Sequence, residues 1–352
     1  MQYVKRAQID PTAFAVALIE SVCAVSVDPD FAASVDGTSS NDPRLIAALR
    51  ANSTAGLFDW MMDSFSFQGI SDSVAHSYLE SNGNATWQTI KSQLAGQPTC
   101  PLLPSYWTFE GCRYDKTGKS CSQPGHMARC PVPSHPLRNG RLNQTAFSLY
   151  LFIRDQTRSD LIGWIDARLE ETGDRDFRAG QEALIGPMRH IFGVSDKVLS
   201  MTLSAVLMAD RGNRPRWFDV GSQMIVVDTL VHNFLRRTGI LAEFDAAHVY
   251  GPKCYQHGGC SDILRRVAEC IDARAFNGSF PRIFPRLIQH ALWRYCAADE
   301  LDVCNANNID ESKYCIQNTC EIYSICRRNN DFSVKPKAKT QESKYRLKYW
   351  FC

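Results

Sequence analysis

The sequence predicts an all-α protein, and three observations carry that reading. Apolar residues recur at helical spacing through most of the chain. No series of alternating hairpin strands interrupts them, and Ser/Asn/Gly/Pro-rich turns separate the apolar segments. Hydrophobic residues make up 44% and charged residues 22% of the 352, so one large core or two modest ones can be buried. A net charge of +2 excludes a strongly basic protein and confines any nucleic-acid surface to a local patch. Met1-Gln2-Tyr3-Val4-Lys5-Arg6 leads into no secretory apolar core, and no apolar run approaches the roughly 20 residues of a membrane span. An intracellular protein of cytoplasm or nucleoid, without membrane contact, is therefore expected.

Fourteen cysteines need an explanation. Asn-x-Ser/Thr tripeptides at Asn52, Asn84, Asn143 and Asn277 are compatible with a secreted, disulfide-bonded protein. With no leader sequence, a reducing compartment and thiolate-bound metal fit better.

Taken in order, residues 1–99 form an N-terminal helical region. A first helix is expected over Asp10–Val35, with Phe14, Leu18 and Val22 at helical spacing. Residues 100–139 are a Cys/His-rich irregular insertion. There Cys112, Cys121, His126 and Cys130 offer four soft ligands for tetrahedral zinc, with unpaired structural thiols as the competing reading. Residues 140–295 form the core. Phe147, Leu149, Leu151 and Ile153 begin it, and Leu161, Ile162, Ile165 and Leu169 follow at helical spacing. A Gly-containing turn, Phe192–Asp196, then opens a helix whose Leu199, Leu203, Val206 and Leu207 share one face.

Asp210–Asp219 is polar and basic and reads as a loop. The next helix starts at Asp228 or Thr229 as N-cap, carries Arg236 and Arg237 in its last turn and ends at Gly239. A Gly/Cys/Tyr loop, His248–Cys260, precedes two further helices, Ser261–Asp272 and Arg282–Tyr295. Residues 296–330 hold Cys296, Cys304, Cys315, Cys320 and Cys326. Residues 331–352 are a basic, aromatic tail, either a nucleic-acid contact or a solvated terminus.

A tight turn before a helix can aim its N–H groups at a phosphate, and Gly193, Val194 and Ser195 supply that backbone. Lys197 follows at once. A lysine ammonium is no nucleophile, but a neutral amine here can attack a sugar C1′, expel the base and form a Schiff base. The plain alternative is a solvated surface lysine. Asp228, after the apolar run Met224–Val227, can stabilise positive charge on a sugar or help to deprotonate the amine. Its plain alternative is an N-cap. Arg211, Arg214 and Arg216, lying between those two segments, are candidates for phosphate contact. His232, Asn233, His248, Tyr250, Tyr255 and His257 can stack on or hydrogen-bond a flipped base.

Phe192-Gly193-Val194-Ser195-Asp196-Lys197-Val198 resembles the hairpin and catalytic lysine of the helix-hairpin-helix DNA glycosylase superfamily that includes endonuclease III. Ile225-Val226-Val227-Asp228-Thr229-Leu230-Val231 is similar to its Val-Asp-Thr segment. Leu287–Cys296 with Cys315, Cys320 and Cys326 resembles its iron–sulfur loop. Ser195 stands where that family has a second Gly, and the connection from Lys197 to Asp228 is longer than in the family. The resemblance spans residues 140–330. It implies a helix-hairpin-helix glycosylase-like core with a C-terminal iron–sulfur loop. Lys197 would be nucleophile and Asp228 the essential carboxylate of a bifunctional glycosylase and lyase. A 4Fe–4S cluster would sit on Cys296, Cys315, Cys320 and Cys326, with Cys304 as alternative ligand and zinc as competing metal. The partner would be double-stranded DNA carrying a modified or damaged base, bound by a monomer. Two other classes remain open: a DNA-binding or damage-sensing iron–sulfur protein without catalysis on the same scaffold, and a structural zinc protein that never meets DNA.

Overall fold

The computed structural model describes residues 10–31, 42–66, 74, 77, 79–81, 83–95, 100–115, 120–121, 143–173, 176–304, 315, 317 and 319–327. These are helical almost throughout, as the composition and periodicity predict. The elements are α1 (Pro11–Ser26), α2 (Pro43–Arg50), α3 (Thr54–Ser66), α4 (Trp87–Ala95), the single turn α5 (Tyr106–Phe109), α6 (Asn143–Gln156), α7 (Leu161–Glu170) and α8 (Phe177–Met188). They continue with α9 (Asp196–Met208), α10 (Pro215–Ser222), α11 (Thr229–Arg237), the single turn α12 (Ile240–Glu243), α13 (Cys260–Cys270) and α14 (Pro285–Cys296). Between α5 and α6 lies a minimal antiparallel ladder, β1 (Tyr114–Asp115) on β2 (Ser120–Cys121). No helix among the described residues is long and apolar enough to cross a membrane.

Helix starts follow a repeated rule. Asp10, Asp42, Asp160, Asp176 and Asp228 each sit at an N-cap with the carboxylate accepting a first-turn N–H. Each such cap contributes roughly 1 kcal/mol. Two expected boundaries move. The first helix ends at Ser26 instead of running to Val35, with Val27 already extended. Pro29 follows, and a proline disfavours helical backbone at the residue before it, Asp28. The stretch Asp210–Asp219, expected as loop, contains the start of α10. Pro215 takes the first turn, where no N–H is needed, and Trp217, Phe218 and Val220 are buried.

The apolar residues form two large cores. The first gathers α2, α3, α4 and α6 through α10, from Leu45 to Met224. The second joins α1 to the chain after Ile225, with Leu18 and Val22 among Val227, Phe234, Leu264, Leu292 and Tyr295. Helix α1 thus packs with the C-terminal half and not with its sequence neighbours. A smaller cluster, Phe31, Met208, Phe218, Phe284 and Leu287, lies between contributors to both. At Gly221 an added Cβ would come within 2.8 Å of the Leu207 Cβ, so α9 and α10 approach as closely as glycine permits.

His290 on α14 lies in an aromatic stack, 4.6 Å from the Phe31 ring and 5.6 Å from that of Trp293. Burial first, then the Arg286 and Arg294 charges one turn to either side, push its pKa down to about 3. The unfolded chain takes up this proton near 6.5 and the folded one does not. Stability must therefore fall as pH drops from 6.5 toward about 3, by at most about 1.4 kcal/mol per pH unit from this group. His290→Phe keeps the stack and should remove that share of the acid-side slope. Urea unfolding at pH 7 and pH 5 checks this. Equal slopes for wild type and variant would contradict it.

Candidate functional site

The turn Phe192–Ser195 joins α8 to α9. Gly193 has φ +74°, in the left-handed region, and a Cβ there would also meet Thr145 Oγ1 at 3.3 Å. The Thr145 hydroxyl donates to the Phe192 carbonyl at 2.6 Å, and Ser148 Oγ accepts the Phe192 N–H at 3.3 Å, which pins the turn to α6. Ser195 is extended at φ −95°, a conformation any residue adopts, so a second glycine is not required there. Its side chain makes no capping bond. Gly193 and Ser195 are exposed, while Val194 is buried beneath them. The start of α9 therefore presents backbone amides that the Ser195 side chain does not cap. Asp196, in the first turn, is paired with Arg189.

Lys197 is half-buried in that first turn and makes no ion pair within 4.0 Å among the described residues. Asp228 caps α11, its carboxylate accepting the Val231 N–H at 2.9 Å. Burial lifts the Asp228 carboxyl above the ordinary aspartate range. The Val231 hydrogen bond, then the Lys197 ammonium, pull the other way. Lys197 and Asp228, far apart in sequence, are thus brought within electrostatic reach. Val198 and Leu199 beside Lys197 belong to the first core, and Val227 and Val231 beside Asp228 to the second, so the pair spans the seam between them.

The surroundings of Asp228 are polar and fixed. The Tyr255 hydroxyl accepts the Val227 N–H at 2.9 Å and donates to the Val227 carbonyl at 3.0 Å. Tyr250 reaches the same carbonyl at 3.5 Å. Burial, followed by the nearby Asp228 charge, pushes the Tyr250 phenol up to about 12, so it keeps its proton. Arg286 also feels Asp228, while burial draws its guanidinium down to about 10. A cleft of ≈ 270 Å³ lies beyond Tyr255, with Asp196, Ser200, Arg178, Arg189 and Arg265 also on its wall, and neither Lys197 nor Asp228 lines it.

One turn along α11 from Asp228, a second constellation appears. His232, His248, Cys254 and Cys260 place one ligand atom each within 4.8 Å of one another, a group that can bind a metal ion. His232 Nδ1 lies 3.3 Å from Cys260 Sγ and 3.5 Å from Cys254 Sγ, and His248 Nε2 lies 3.4 Å from each. Hydrogen bonding from the Cys260 thiol holds Cys254 far below the ordinary thiol range, against the opposing effect of burial. The same bond, burial and the Cys254 charge push Cys260 up.

Glycine is needed at the edge of this cluster. A Cβ on Gly259 would collide with the Lys253 carbonyl oxygen and lie 3.0 Å from the carbonyl atoms of Cys254. Backbone cannot swing away as a side chain can. Gly259→Ala should cost about 1–3 kcal/mol of stability in urea unfolding. An unchanged midpoint would show that the loop yields.

Among the C-terminal cysteines, Cys296 is buried, and Cys304, Cys320 and Cys326 pack against the same core. The Cys296 thiol donates to Cys304, which raises the first and lowers the second. Tyr295 Oη lies 3.1 Å from Cys320 Sγ and donates to Glu321 at 2.8 Å. The structure thus puts Cys304 beside Cys296, where the resemblance implies Cys315 as ligand and Cys304 as the alternative. Cys315 is half-buried on the segment leading to Cys320.

The three arginines expected at phosphate are engaged internally. Arg211 donates to the Ser279 carbonyl and covers the Phe218 ring at 4.4 Å. Arg214 grips Asp166 at 3.1 Å and Asn52 at 2.8 Å, and Arg216 donates to the Leu169 and Thr172 carbonyls. His232 and His248, expected around a flipped base, instead face two thiols, and exposed His257 contacts Asp262 at 3.0 Å. Cys112 is half-buried, whereas His126, Cys130, the Cys121 side chain and the basic tail lie outside the described residues. Cys254 and Cys260 do not figure among the ligands expected from sequence, although His248-x5-Cys254-x5-Cys260 in a Gly-rich loop is the pattern that carries them. Comparison with models of protein families, with curated proteins and with solved structures returned no match.

Proposed function

We propose that the protein is a helix-hairpin-helix DNA glycosylase that excises a modified or damaged base and cleaves the strand as a lyase. The observation that supports this reading is that the Lys197 ammonium, beside residues of the first core, acts electrostatically on the Asp228 carboxyl, beside residues of the second. In this account the uncapped start of α9 and the Gly193–Ser195 backbone grip a DNA phosphate. The target nucleotide swings out of the duplex beside Asp228. Val249, 86% exposed on the loop that also carries Tyr250, is an apolar side chain free to enter the stack.

Burial makes the Asp228 carboxylate a stronger base than an exposed aspartate, and in this account substrate binding brings it to the Lys197 ammonium, whose proton it takes. The neutral amine then attacks C1′, the bond to the base breaks, and the base leaves with a proton. Opening of the sugar gives the Schiff base, and loss of a C2′ proton expels the 3′ phosphate.

The 4Fe–4S cluster implied by the resemblance would be held by Cys296, Cys304, Cys320 and Cys326, whose side chains all pack on the same core. Such a group would supply no redox step, and would fix the C-terminal loop against α14. Single-turnover assays on duplexes with one modified base each test the proposal. Release of a free base from at least one duplex is expected, and release from none of a broad panel would oppose it.

A further inference from the structure

We propose that His232, His248, Cys254 and Cys260 form a closed, structural zinc site whose task is to clamp the loop 246–260 onto the N-terminus of α11. This rests on the four side chains alone and stands whether or not the protein is a glycosylase.

Geometry is the first argument. Zinc bonds of about 2.3 Å to sulfur and about 2.05 Å to nitrogen, at a tetrahedral angle, put S and N about 3.6 Å apart. All four N···S separations here fall between 3.3 and 3.5 Å. Here each nitrogen faces both sulfurs, which is the pattern of four donors aimed at a common point.

The protonation pattern is the second argument. The His248 ring donates from Nδ1 to the Ala246 carbonyl at 2.6 Å, which leaves Nε2 as a bare lone pair facing the two sulfurs. An outer hydrogen bond of this kind fixes the tautomer a metal requires. Burial is the third. His232, Cys254 and Cys260 are buried and His248 half-buried, so four protein ligands fill the shell and no open position remains for substrate. Two thiolates with two imidazoles in a tetrahedron suit Zn(II) and leave it no net charge to bury.

The ligands come from three elements: His232 from α11, His248 and Cys254 from the loop, and Cys260 from the first residue of α13. The same loop delivers Tyr250 and Tyr255 to the Val227 peptide, immediately before Asp228. An ion here therefore sets where that peptide lies.

Full-length protein, purified anaerobically and loaded with zinc alone, or with Co(II) as a spectroscopic probe, tests the site. Wild type should hold one zinc more than Cys254→Ser or Cys260→Ser, because each variant keeps every C-terminal cysteine as a constant background. Cys270→Ser, an exposed cysteine outside the cluster, should match wild type. His248→Cys keeps four ligands and guards against a folding artefact. It should retain the ion and strengthen the thiolate-to-cobalt charge-transfer bands of the tetrahedral site. Zinc content equal in wild type and both serine variants would overturn the site. In metal analysis of the protein as purified, before loading, loss of iron or copper instead of zinc on either serine substitution would overturn the choice of metal. Failure of His248→Cys to hold any ion would overturn the four-ligand geometry.

Discussion

Asp228→Asn should lower base release by about 10³-fold or more while DNA affinity stays within a few-fold of wild type. The substitution is well suited to isolate chemistry from folding. Asparagine is as good an N-cap as aspartate, so the bond to the Val231 N–H, and with it the start of α11, should persist. What disappears is the negative charge, and with it both the base for the Lys197 ammonium and the counter-charge for a developing sugar cation. Burial raises this carboxyl, so catalysis by wild type should also fall as pH drops, beginning above the ordinary aspartate range. Full activity in the variant would remove Asp228 from the mechanism.

Lys197→Gln should abolish strand cleavage and reduce base release by a comparable factor, since no other nucleophile is assigned. Its cost in stability should be within about 0.5 kcal/mol. Lys197 is half-buried in the first turn of α9 and has no ion pair to lose among the described residues. Thermal unfolding and a nicking assay separate the two outcomes. Strand cleavage at the wild-type rate would show that the amine is not the nucleophile.

The helices were legible from sequence because apolar periodicity and Asp or Pro at helix starts are local properties. Asp228 as an N-cap and α14 behind the run Leu287–Cys296 are cases where local preference and tertiary packing agree. Helix α10 is hidden in the sequence because Arg211, Arg214 and Arg216 make its start look like a polar, basic loop facing phosphate. These three, of which only Arg216 lies within the helix, in fact spend their donors on Asp166, Asn52 and backbone carbonyls, with the Arg211 and Arg214 guanidinium groups over Phe218 and Trp217. Charge in a sequence does not disclose its partner. The pairing of α1 with α13 and α14 was equally invisible, since a helix face shows that it must be buried and not against what.

The candidate site divides along the same line. Lys197 and Asp228 could be singled out by the turn and cap around them. The group His232, His248, Cys254 and Cys260 needs the chain to fold back through Gly251 and Gly258, so that a helix residue meets a loop. Read one at a time, two of its members pass for base-stacking rings and two for ordinary thiols.

Borohydride trapping on damaged duplexes tests the central claim most directly, because it captures the Schiff base itself. Wild type should form a covalent protein–DNA adduct whose peptide mass places the link on Lys197, and Lys197→Gln should form none. An adduct on another residue, or an equal yield from Lys197→Gln, would contradict the account.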